Sequence, residues 1–126
     1  MNELYHALAD CRLGWRLRML ENRILITTLV FLPGYDESIA LSVEKDDTAE
    51  GTYTLCDCHS VSDFWEARDT APFSFTEKIA RIMVRYGLFM EENSFCAKIY
   101  AEKPENLHSA LWRFLQALAV LANVDL

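Results

Sequence analysis

The chain has 126 residues, 52% of them apolar, with only four glycines and three prolines, which reads as one domain with a core of its own and excludes a disordered chain. Its net charge of −7 is concentrated: Asp36 to Asp69 holds ten acidic and two basic residues, a net −8. Direct nucleic-acid binding is disfavoured, because phosphate contacts need Lys and Arg.

Leu4, Ala7, Leu8 and Cys11 recur at helical spacing and predict a helix over 3–12, ended by Gly14. Trp15, Leu17 and Met19 then alternate with Arg16, Arg18 and Leu20, a first strand with a basic outer face. After a turn at Glu21-Asn22 comes a second strand over 23–32, apolar on both faces at Leu29-Val30-Phe31-Leu32 and therefore expected to be central. Pro33-Gly34-Tyr35-Asp36 turns the chain into a third strand, with Ile39, Leu41 and Val43 on its buried side. A solvated loop over 45–51 leads to a fourth, in which Tyr53, Leu55 and Asp57 alternate with Thr52, Thr54, Cys56 and Cys58.

Ser60 or Ser62 is placed to cap a helix running to Arg68, with Asp63 and Glu66 near its positive start. Pro72 breaks it, and Ser74-Phe75-Thr76-Glu77 has the spacing of a capping box. The helix it opens turns Phe75, Ile79, Ile82, Met83 and Tyr86 inward and stops at Gly87. Residues 88–90 and 95–101 form a hairpin around Glu91-Glu92-Asn93-Ser94. Pro104 starts the last helix, whose stripe includes Leu107, Leu111, Phe114, Leu118 and Leu121. The order α-β-β-β-β-α-α-β-β-α predicts an α+β fold: an antiparallel sheet of about four to six strands, helices on one face, and a long apolar C-terminal helix.

The block Ile24 to Thr28, Gly34-Tyr35-Asp36, Ile39 to Val43, Tyr53-Thr54-Leu55-Cys56-Asp57 and Ser60 to Phe64 resembles the domain-of-unknown-function family 1828, small proteins of bacteria and their phages. The helix ending Arg85-Tyr86-Gly87, the short hairpin and the apolar last helix extend the likeness over most of the chain. Leu29, Cys58 and His59 stand where the family carries a Pro, the second Asp and the Gly of a Leu-x-Asp-Asp-Gly turn. The family has no assigned activity, so the resemblance implies architecture and a mobile-element setting.

Four cysteines, Cys11, Cys56, Cys58 and Cys96, do not suggest a disulfide framework in a chain with neither a secretory leader pattern nor a membrane-length apolar run. The expectation is a cytoplasmic protein with no membrane contact. Cys56 and Cys58 on one strand would share a face, roughly 7 Å apart and too far to bond. Cys56, Cys58 and His59, with Cys96 or Cys11, are a zinc donor set by residue type. Paired Cys-x-x-Cys knuckles are missing, however, and cysteine is a common buried residue, so no metal or other cofactor is expected. A Cys58–His59 dyad would need a sharp turn, because strand neighbours point to opposite faces.

A nuclease needs clustered carboxylates, but no lysine follows the acid-x-Lys spacing and no Gly-rich phosphate loop is present. Asp57, before a turn and a helix start, is expected to bond backbone N–H groups, and His6 and His108 to face solvent. The favoured reading is a non-catalytic module that engages a basic protein, such as a nucleic-acid-handling host enzyme, through Asp36, Glu37, Glu44, Asp46, Asp47, Glu50, Asp63, Glu66 and Asp69. One alternative is a divergent, nuclease-like enzyme or metalloprotein centred on Asp57, Cys58 and His59. Another is a structural or regulatory subunit that forms a homodimer through Trp112, Ala119 and Val120, which lie off the core stripe of the last helix.

Overall fold

The computed structural model describes residues 2–9, 14–68 and 77–124. The described residues form α1 (Asn2–Ala9), β1 (Arg16–Met19), β2 (Arg23–Phe31), β3 (Ser38–Lys45), β4 (Thr52–Cys56), α2 (Ser60–Ala67), α3 (Glu77–Tyr86), β5 (Leu88–Glu91), β6 (Ser94–Tyr100), a single 3-10 turn (Pro104–Asn106) and α4 (Leu107–Ala122). This is the predicted order, and the fold is α+β. Cys11, Asp69, Pro72 and the capping box at 74–76 lie outside the described residues.

All six strands join one antiparallel sheet in the order β1-β2-β3-β4-β6-β5, so β6 returns to lie between β4 and β5. The register places Ile24 opposite Val43, Val43 opposite Leu55 and Leu55 opposite Ala97, which lines one face with apolar side chains. Val61, Phe64 and Trp65 of α2 and Leu111, Leu118 and Leu121 of α4 pack into the same core. Burial of each such large side chain stabilises the fold by about 1.5–3 kcal/mol relative to exposure. Trp65 also meets Phe95 edge-on at 5.8 Å, and its indole N–H donates to the Ala122 carbonyl at 3.3 Å. The opposite sheet face carries Arg16, Arg18, Arg23, Thr27, Glu44 and Lys98, all exposed. This is the open face of the sheet.

The second strand departs from expectation. It has interior neighbours only over its first half: β1 pairs with 24–27 alone. Beyond that a bulge places residues 28–30 opposite Ile39, between the pairs Thr27–Ala40 and Phe31–Ser38. Thr28 is buried there, its hydroxyl donating to the Ile39 carbonyl at 2.8 Å and accepting from the Val30 N–H at 3.1 Å. Among the described residues β1 does not pair with this half, and Leu29 and Phe31 are 63% and 54% exposed, so the apolar run is not covered on both faces.

Gly87 ends α3 at φ +67°, as its position in the sequence predicts. His108 is not a solvated residue: it is part-buried, with its Nε2 3.0 Å from the Ala7 carbonyl, and it ties α4 to α1.

Candidate functional site

The strand predicted to run through Cys58 stops at Cys56. Asp57-Cys58-His59-Ser60 is instead a tight turn closed by the Ser60 N–H on the Asp57 carbonyl at 2.9 Å. Cys58 and His59 both take left-handed backbone, φ 50° and 66°. That pairing belongs to a type I′ turn, which favours Asn and Gly. An L side chain in this region costs about 1–2 kcal/mol, so the surroundings must hold the turn in place.

Asp57 does so. It is fully buried. Its Oδ1 accepts from the His59 N–H at 3.2 Å and the Phe95 N–H at 2.9 Å, and its Oδ2 accepts from the Val61 N–H at 3.1 Å. One carboxylate thus closes the turn, satisfies the start of α2 and finishes the β4–β6 ladder. Burial pushes its carboxyl up to about 6, against the opposing pull of the three backbone donors.

The serines expected to cap α2 do other work. The helix starts after His59 with no side-chain cap bond, because the carboxylate, a stronger acceptor than a hydroxyl, has taken that place. Ser60 Oγ donates to the Ala40 carbonyl and accepts from its N–H, both at 3.2 Å, while Ser62 Oγ donates to the Asn93 carbonyl at 2.7 Å. The β5–β6 hairpin turns through Glu92 and Asn93, again at φ 50° and 66°. The two turns are clasped through Ser94, whose Oγ accepts from the His59 N–H at 3.2 Å and lies 3.3 Å from His59 Nδ1.

Beside these turns the open face has a recess of about 360 Å³. Cys56, Cys96 and buried Ser42 form its floor, and Arg23, Glu44 and Glu91 stand around it. Cys56 and Cys96 are directly paired across β4 and β6. The adjacent Cys96 draws Cys56 below the ordinary thiol range, and Cys56 together with burial pushes Cys96 above it; the Cys96 S–H donates to the Ser94 carbonyl at 3.8 Å. Burial raises the Cys58 thiol, against the opposite pull of the neighbouring Ser42.

The candidate metal ligands Cys56, Cys58, His59 and Cys96 therefore neighbour one another but do not share a centre. Among the described residues no group of three or more His, Cys, Asp or Glu side chains is arranged to hold a metal ion. The sharp turn that a Cys58–His59 dyad requires is present, yet the His59 ring goes to Ser94. Asp57, the centre of the enzyme alternative, has its carboxylate committed to backbone. Alternation along β4 and β6 hinted at the face of Cys56 and Cys96. Their pairing needed the strand order, which no sequence motif encodes.

The acidic stretch does not form one face. Asp36 and Glu37 precede β3 whereas Asp46, Asp47 and Glu50 follow it, so the eight-residue strand separates the two groups by roughly 25 Å. Glu44 belongs to the open face beside Arg23, its register partner, and Asp57 is interior. Asp46 is occupied locally, with Oδ1 accepting from the Thr48 hydroxyl at 2.6 Å and N–H at 2.9 Å, and these bonds lower its pKa.

Asp36, Glu37 and Asp63 do converge, around Tyr35. Desolvation first, then the charges of Glu37, Asp63 and Asp36, raise that phenol. Tyr35 in turn packs edge-on against Phe64 of α2 at 5.6 Å, which joins the β2–β3 turn to the helix bearing Asp63 and Glu66. Asp69 is outside the described residues.

On α4, Trp112 is 47% exposed but its ring lies 5.4 Å from Trp15 of the same chain; Ala119 is half-buried and Val120 is 39% exposed. Among the described residues no helix is long and apolar enough to cross a membrane. No family model matches the chain, nor does any curated protein or solved structure, and the likeness to family 1828 rests on the motif pattern alone.

Proposed function

We propose that this chain is a non-catalytic binding module that docks on a basic protein through the acidic end formed by Asp36, Glu37, Asp63 and Glu66. The observation that carries the reading is the convergence of carboxylates from two elements around Tyr35. Among the described residues none of the four has an ion-pair partner; the salt bridge found there is Glu77–Arg81, on α3. Unpaired like charges raise the local field and speed encounter with a complementary surface. A basic groove of a nucleic-acid-handling host enzyme has the matching chemistry, and the resemblance to small bacterial and phage proteins supports that choice and a cytoplasmic setting.

The test is affinity capture from bacterial lysate at low and moderate salt, comparing the natural chain with two reversal variants. Asp36→Lys, Glu37→Lys, Asp63→Lys and Glu66→Lys together should abolish capture of a partner whose binding weakens with salt. Asp46→Lys, Asp47→Lys and Glu50→Lys should leave most of it. Equal capture by the first variant at both salt concentrations would overturn the proposal.

A second reading, a homodimer through the helical side, is favoured by Val84 and Val120, 84% and 39% exposed. It is compatible with the first, because the acidic end and the outer side of α4 are different surfaces.

A further inference from the structure

We propose that Cys56 and Cys96 form an oxidant-responsive dithiol site on the open face, converted by hydrogen peroxide to a cross-strand disulfide. This inference is independent of the partner-binding proposal above.

The geometry comes from the sheet. Cys56 and Cys96 are register partners on adjacent antiparallel strands, with side chains on the same face. The Asp57 N–H bonds the Phe95 carbonyl at 3.0 Å, so 57 and 95 occupy a hydrogen-bonded position and 56 and 96 the non-hydrogen-bonded position next to it. At such positions the Cα atoms approach to about 4.5 Å, within the span a disulfide accepts. Cross-strand pairing removes the usual obstacle to disulfide formation, since neither strand has to move far.

The two sulfurs are not equivalent. Cys56 is half-buried and lines the recess, whereas Cys96 has no exposed surface. An oxidant entering from solvent therefore meets Cys56 first. The adjacent Cys96 favours the Cys56 thiolate, while burial, Glu91 and Asp57 oppose it, and the Cys96 S–H itself donates to the Ser94 carbonyl at 3.8 Å. Arg23 at the rim draws the neighbouring Cys58 toward its thiolate, but burial outweighs that pull and Cys58 stays protonated. Cys56 is thus the attacking sulfur and Cys96 the resolving one.

The steps balance. The Cys56 thiolate attacks one oxygen of hydrogen peroxide, the O–O bond breaks, and the departing hydroxide takes a proton to become water, leaving Cys56 sulfenic acid. The Cys96 sulfur then attacks the Cys56 sulfur, an S–S bond forms, and the sulfenic hydroxyl leaves as a second water with the Cys96 proton. Two thiols have lost two electrons and one peroxide has been reduced to two waters.

The experiment treats the full natural chain with hydrogen peroxide, blocks the remaining thiols with iodoacetamide and maps the peptides by mass. A linked peptide pair containing Cys56 and Cys96, a mass lower by about two hydrogens before alkylation and reversal by dithiothreitol are expected. A disulfide closing a loop of this length should also raise Tm by on the order of 10 °C. In Cys96→Ser, dimedone should trap sulfenic acid at Cys56; in Cys56→Ser, Cys96 should remain unlabelled. Both thiols surviving peroxide, Cys56 linking to Cys58 or Cys11, linkage only between two molecules, or dimedone labelling of Cys96 would overturn the proposal. The mapping needs no variant, so a misfolded mutant leaves the test intact.

Discussion

Asp57 offers the sharpest test of how this fold is held. Asp57→Asn keeps the volume and one acceptor oxygen but replaces the other with an N–H₂ group, so at least one of the three backbone donors at His59, Val61 and Phe95 loses its partner. An unsatisfied donor buried beside a lost charged acceptor costs about 2–3 kcal/mol, a large part of the roughly 5–15 kcal/mol by which a domain of this kind is stable. The penalty must also depend on pH. The carboxyl sits at about 6 in the folded chain against an ordinary value of 3.8, so between these values the folded state holds a proton that the unfolded state has released. The natural protein therefore gains stability from this group as pH falls: the gain is fully present below about 4 and lost as pH rises through about 6. Over the range pH 5 to pH 7.5 the linkage amounts to about 1.4 kcal/mol, which Asp57→Asn cannot show. Urea unfolding followed by far-ultraviolet circular dichroism at both pH values should find the penalty larger at pH 5 by that amount. An equal penalty at the two pH values, or a larger one at pH 7.5, would refute the linkage. A penalty below about 0.5 kcal/mol at both would refute the role of Asp57 in holding the turn.

Three further outcomes are expected. His59→Gly should raise stability by about 0.5–1 kcal/mol, because relief of the left-handed side chain outweighs the added freedom of the unfolded chain; a shift in the urea midpoint at unchanged slope reads it. Thr28→Val should destabilise by about 2–3 kcal/mol through the orphaned Ile39 carbonyl and Val30 N–H at the bulge, despite an almost unchanged volume; thermal unfolding measures this. Val120→Glu should halve the sedimentation mass if α4 joins two copies, and an unchanged monomer before and after dismisses the homodimer.

Alternation and capping were enough to place the elements. Ile39, Leu41 and Val43 admit one pleated reading, the Leu107 to Leu121 stripe one helical reading, and Gly87 needed no neighbour to end α3. Asp57 was legible too, because a carboxylate ahead of a turn and a helix start has nearby N–H groups to accept whatever the rest of the chain does. The details around it were not. The preference of Ser60 and Ser62 for capping is weaker than the pull of a buried carboxylate, and Ala40 and Asn93, which bind those serines instead, are distant in sequence. The exposed end of β2 escapes sequence reading for a similar reason: hydrophobicity says that Leu29 and Phe31 suit a covered position, but only the bulge after Thr27, formed against distant β3, decides how they sit in the sheet.

Local physics therefore determined the α+β order, the core-facing residues and the backbone role of Asp57, since periodicity, turn chemistry and hydrogen-bond satisfaction act over a few residues. Tertiary structure alone decided which distant groups meet. The insertion of β6 beside β4 brings Cys96 onto Cys56, and the length of β3 divides one acidic stretch into two ends. Strand order and strand length act over tens of residues, and charge or cysteine content in the sequence carries no record of either.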